Sequence, residues 1–184
     1  MAQVPTQGER DRAMSYLHAT RKQFLDTAGP LLPAQWNHKP AGGGWSVAEV
    51  AEHLAVTEGS VLAGIERVLH EPATPERKAE TAGKDEAIVK NVPNRERKVQ
   101  SPEEFKPTGR FATRDAAVAE FKAKRDQTIE FIEKTPAELR VHMFPHPFFK
   151  LLDCYQWTLM LAAHSDRHIQ QMKEVIASPG FPAK

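Results

Sequence analysis

The chain of 184 residues contains one cysteine, Cys154. No internal disulfide can form, and a lone thiol fits a reducing compartment. It also lacks net charge. The 25 Lys and Arg against 24 Asp and Glu leave +1, so no global field draws the protein to nucleic acid or to an anionic membrane. No apolar run approaches the ~20 residues that a membrane-spanning helix needs. Residues 1–8 are polar and carry no signal-peptide apolar core. A cytoplasmic location is therefore expected, without nucleic-acid or membrane partners. Internal repeats, alternating strand patterns and a Gly-rich phosphate loop are missing. So are the nucleophile elbow and the Ser–His–Asp signature of serine hydrolases. At this length one domain with a real core is expected.

Helical periodicity is what the sequence has. Ala13, Leu17, Phe24 and Ala28 recur at helical spacing, and Gly29-Pro30 stops that run, giving a helix over about 9–27. Ser46 with Glu49 forms a capping box. It opens a second helix striped by Val47, Val50, Leu54, Val61, Ile65 and Val68 and bounded by Pro72. Val118, Phe121, Ile129 and Ile132 mark a third over about 113–134, ended by Pro136. A fourth runs over about 153–176. Residues 71–110 carry prolines and mixed charges with little periodicity, and read as a long loop with one short helix near 84–90. Arg95, Arg97 and Lys98, interleaved with Glu96, read as a solvated surface. Phe144-Pro145-His146-Pro147-Phe148-Phe149 is kept out of helix by its prolines. Four periodic helices with few strand signals predict an all-α four-helix bundle.

Three histidines carry the chemistry. On the fourth helix Trp157, Leu161, His164, His168 and Val175 follow an inward seam. His164 and His168 lie four apart, one turn above each other with a rise of roughly 6 Å, so both imidazoles can meet one point. Unsatisfied buried polar groups cost roughly 1–3 kcal/mol each, and a metal would satisfy both rings and hold them neutral. His53 lies at the edge of the second helix's stripe, where a lone histidine is more often a half-buried residue than a ligand. If it faces the pair, three nitrogens form half a coordination shell and leave room for water or substrate, as in a reactive metal site. His142 and His146 read as exposed loop residues, and His18, His38 and His70 as surface residues. Asp166 and Arg167 point away from the paired histidines and read as solvated. Cys154 reads as a small core residue, and the Trp and Phe positions as packing.

The segment Gly44-Trp45-Ser46-Val47-Ala48-Glu49-Val50-Ala51-Glu52-His53-Leu54 resembles the second-helix signature of the DinB/YfiT-like superfamily. His164-Ser165-Asp166-Arg167-His168-Ile169-Gln170-Gln171 resembles its closing H-x-x-x-H-x-x-Q signature, and His146-Pro147 before the helix with Trp157 resembles the approach to it. The resemblance implies one domain over 1–184, built as an up-up-down-down type bundle, with the 71–110 segment as a long insertion outside the recognised motifs. It implies a divalent metal held by His53, His164 and His168. Zinc, nickel and iron all suit imidazole. It also implies a homodimer acting on a small-molecule substrate. Members of the family include transferases and isomerases that use a low-molecular-weight thiol, and proposed hydrolases. A metal-dependent enzyme is the expectation, with thiol S-transfer or hydrolysis as its reaction. A bundle that binds a ligand or partner without turnover is the alternative.

Overall fold

In the computed structural model, which describes residues 4–183, the long helices start where side-chain caps place them. α1 (Gln7–Ala28) is capped by Thr6 and Glu9. α3 (Val47–Leu69) follows the Ser46/Glu49 box, α5 (Arg114–Lys134) the Thr113 cap, and α6 (Cys154–Ile176) a box of Asp153 and Gln156. In each case an oxygen side chain accepts from an N–H that has no partner inside the helix. A one-turn helix, α2 (Pro33–Trp36), lies in the first connection. α4 (Lys84–Asn91) and two 3-10 turns, Pro75–Glu80 and Glu103–Phe105, give order to 71–110.

The third connection holds the structure's one departure from all-helical expectation among the described residues. β1 (Met143–His146) pairs antiparallel with β2 (Lys150–Asp153), from Met143 opposite Asp153 to His146 opposite Lys150. Strands of four residues with a proline leave no alternation to read. In a two-stranded ribbon both strands are edges, so Pro145 is tolerated. His146 is no free loop residue. It packs on Trp157, with ring centroids 5.0 Å apart, and its Nδ1 accepts from the Phe148 and Phe149 N–H groups.

Helix directions follow from side-chain contacts. Tyr155 Oη donates to Glu9 O, and Tyr16 Oη to Asp166, so α1 and α6 run parallel. Arg10 donates to the carbonyls of Ile132 and Thr135, while Phe24 meets Phe121. α1 and α5 are thus antiparallel. His53 meets His164, whereas Gly64 lies beneath Phe144, which stacks on Trp157, so α3 and α6 are antiparallel. The order is up-down-down-up, the expected up-up-down-down pattern shifted by one helix. α3 and α5 are therefore parallel neighbours, and residues 70–113 must climb a bundle of about 35 Å. They do so along α6, against which α4 packs.

The core has two apolar parts. Leu17, Val61, Ile65, Ile132, Leu152 and Leu159 fill one, and Phe24, Val50, Leu54, Phe121, Ile169 and Met172 fill the other. Between them lies a buried polar layer. Arg125, fully buried, grips Glu58 through Nε and Nη2 at 2.7 and 2.9 Å. It also donates to Leu17 O, Thr20 Oγ1, Leu161 O and Ser165 Oγ, and so touches all four long helices. No described helix is long and apolar enough to cross a membrane. Cys154 is buried in the core, as expected. Burial, and then the Asp153 charge, push its thiol up to about 12.

Two outcomes follow. Arg125→Met leaves Glu58 buried without its partner, and urea unfolding should show a loss of roughly 3–5 kcal/mol. Arg125→Met combined with Glu58→Met should lose less; a double variant no more stable than the single would refute the pairing. Burial, and then the Lys84 charge, depress His146 to about 4, whereas an unfolded histidine titrates near ~6.5. The unfolded chain then binds more protons between those values, so stability falls as pH drops through that window. Thermal unfolding of His146→Gln at pH 7.5 and 4.5 should show a smaller acid loss than the wild type.

Candidate metal centre

The structure brings the three expected histidines together. His53 is buried on α3, while His164 and His168 are half-buried on α6. His164 Nε2 lies 3.2 Å from His53 Nε2 and 3.1 Å from His168 Nε2. One ring nitrogen from each residue lies within 4.8 Å of the other two.

The outer nitrogens determine what the inner ones present. His53 Nδ1 is 2.8 Å from Phe105 O. A carbonyl only accepts, so Nδ1 carries the proton and Nε2 offers a lone pair. His168 Nδ1 is 2.8 Å from Gln171 Oε1. That oxygen also accepts from Arg95 Nη1, and arginine can only donate, so the Gln171 amide is oriented with its oxygen inward. His168 Nε2 is likewise a lone pair. Between these two acceptors stands His164 Nε2, with at most one proton for both when neutral. Protonating the rings would resolve the mismatch, but the surroundings oppose it. Burial lowers the pKa of all three. For His164 the charges of His168 and His53 add to burial and take it well below the usual histidine range, and for His168 that of His53 does the same. A divalent cation resolves it otherwise, by accepting three lone pairs at once. The donor set therefore fits a metal.

Two elements enclose the cluster. Gly43 and Gly44 take φ of 81° and 112°, a conformation that costs glycine nothing. The turn they make into the α3 cap delivers Trp45 onto the rings, with centroids 4.9 Å from His53 and 6.2 Å from His168. Trp45 thus does more than the plain packing expected of it. The other element is residues 103–110, which supply the Phe105 carbonyl and are held by Glu52. One carboxylate oxygen of Glu52 accepts from Thr108 N and Oγ1, the other from Gly109 N and Arg110 N.

Two residues taken for solvated ones, Arg167 and Arg95, hold this crossover to α6. Arg167 donates to the carbonyls of Val92, Asn94 and Arg97. Arg95 pairs through both ends of its guanidinium with Glu174. Asp166 accepts from Tyr16 and Gln170. Asp166 and Arg167, expected to be solvated, bond to chain instead. His142 and His146 lie by the hairpin, outside the cluster; His142 Nδ1 bonds Val68 O. His18 and His70 are exposed, and His38 is half-buried beside Phe181.

A bundle with a full-length parallel crossover and an H-x-x-x-H pair facing a third histidine defines the class of this protein. The DinB superfamily model matches residues 16–172, and the chain belongs to that superfamily. It is similar to YuaE of Bacillus subtilis (strain 168), an uncharacterized protein, with 25% identity over 162 residues, spanning 88% of this chain and 96% of YuaE. Its fold is similar to that of YfiT from Bacillus subtilis, a four-helix bundle of unusual topology. The TM-score is 0.58 at 14% identity, covering 94% of this chain and 88% of YfiT.

Trp45 provides a reporter. Added Co2+ should quench tryptophan fluorescence, and Trp45→Phe should remove most of that quenching while Trp157→Phe keeps it. Equal quenching in wild type and Trp45→Phe would place the ion elsewhere.

Proposed function

We propose that this protein is a metal-dependent hydrolase whose divalent ion is held by His53, His164 and His168. The observation that carries the reading is the pair of fixed tautomers, on His53 and His168, that aim their lone pairs at the His164 nitrogen. When bound, such an ion polarises a carbonyl or phosphoryl oxygen and lowers the pKa of water from 15.7 to about 7.

The chain's own residues do the rest. Phe105 O and Gln171 Oε1 hold the outer protons of His53 and His168. Burial keeps the rings neutral. Trp45 covers one side and limits water. Neither acid beside the histidines in sequence is a free base: Glu52 is engaged by 108–110, and Asp166 by Tyr16 and Gln170. Both carboxylates thus support the fold around the histidines.

The similarity to YfiT, described as a probable metal-dependent hydrolase, supports hydrolysis as the reaction class. Transfer of a low-molecular-weight thiol is the other reaction the sequence resemblance implies. It would need a thiol from solution, because Cys154 is buried in the core with its proton held.

Elemental analysis of purified protein after zinc loading should find about one metal per chain, and His164→Ala should lose it while keeping its helical circular dichroism. The loaded protein should hydrolyse activated esters or phosphoesters without added thiol. Turnover only with a thiol and an electrophile would establish the transferase instead, and absence of metal from the wild type would remove the proposal.

A further inference from the structure

We propose that Glu52 is a positioning residue for His53. It acts through the strap 103–110, so that metal occupancy and strap order are coupled. The inference rests on the metal-site reading above.

Glu52 and His53 are neighbours on α3, so their side chains leave the helix about 100° apart. Their paths converge on the same short stretch of chain. His53 Nδ1 donates to Phe105 O at 2.8 Å. Three residues on, the Glu52 carboxylate accepts from Thr108 N at 2.7 Å, Thr108 Oγ1 at 3.2 Å, Gly109 N at 2.9 Å and Arg110 N at 3.0 Å. Gly109, at φ 81°, lets successive N–H groups turn toward one anion. The Arg110 guanidinium adds a longer ion pair at 3.7 Å. Glu52 is only 4% exposed. A carboxylate so placed must be hydrogen-bonded to be tolerated, and the strap supplies those bonds.

The strap is thus clamped at one end by a charge and presents a carbonyl at the other. That carbonyl fixes the His53 proton on Nδ1 and the lone pair on Nε2. Without the clamp, Phe105 O is free to leave, and the His53 ring can rotate or exchange tautomers. Groups that orient a metal-ligating histidine from behind typically change metal affinity 10–100-fold when removed. Linkage requires the converse: whatever the strap contributes to metal binding, the metal returns to strap order by the same factor.

Glu52→Gln tests this at constant size, because one acceptor oxygen becomes an NH2 that meets N–H donors. Thr108→Val is a milder second variant that removes the hydroxyl's bonds to Glu52 and Arg110 and leaves the three backbone donors to Glu52 in place. Zinc affinity, measured by competition with a chromophoric chelator, should fall roughly 10-fold in Glu52→Gln. Nitrogen-15 spectra of the metal-free proteins should show a single Nδ1–H tautomer for His53 in the wild type and a mixture in the variant. Zinc should slow proteolysis within 103–110 in the wild type and lose that protection in Glu52→Gln. Thr108→Val should move all three readouts the same way by less. Faster strap cleavage with unchanged zinc affinity and His53 tautomer would overturn the proposal and leave Glu52 a purely structural clamp. If the wild type binds no zinc, the metal reading fails instead, and the metal-free tautomers still decide whether Glu52 positions His53.

Discussion

The bundle is organised around one buried cation. Arg125 sits where an apolar residue would cost nothing to bury, and a guanidinium stripped of water is tolerated only when each of its donors is met. They are met by a carboxylate on α3, carbonyls and hydroxyls on α1 and α6, and nothing on its own helix. Thr128 completes Glu58 from the α5 side. Apolar packing tolerates small slides and rotations of a helix, but hydrogen bonds with fixed directions do not. Arg125 therefore sets axial register and rotation for the four long helices together.

That register aims the histidines. Ser165, a partner of Arg125, is the residue after His164, so the rotation that satisfies the arginine also turns His164 and His168 toward α3. Glu58 does the same for α3, which carries His53. The cluster is thus supported from inside by the polar layer and from outside by the crossover segment. The three imidazoles are held neutral between a dry interior and Trp45. Rigid support on both sides is what a preorganised ligand set requires.

Most of the helical architecture was legible because it is local. Capping oxygens, proline stops and apolar stripes lie within a few residues of what they determine: the Ser46 cap falls where the sequence puts it, and the last two long helices start beside the expected 113 and 153. The histidine pair was legible through its four-residue spacing. Arg125 and Glu58 left a signal that went unread. Arg125 interrupts the stripe between Phe121 and Ile129, and Glu58 that between Leu54 and Val61, so one charge of each sign stands in facing apolar rows. The strap left no such signal. Glu52 meets partners more than fifty residues away that are backbone N–H groups, and any sequence offers those. The shifted helix order is also non-local, and so are the roles of Arg167 and Arg95, which bond between α6 and the crossover. The hairpin was lost to its brevity and its prolines.

The parallel placement of α3 and α5 has a consequence for how the chain folds. Helical bundles with hairpin connections fold fast because their contacts are close in sequence. Here the first helix packs on the last, and the histidine that completes the cluster waits for partners on a helix more than a hundred residues downstream. Loop closure of that span must precede its reward. The bundle should accordingly collapse more slowly than an up-down-up-down bundle of equal stability. The three nitrogens should meet only in the final stage, so that during most of folding no preformed chelator is on offer.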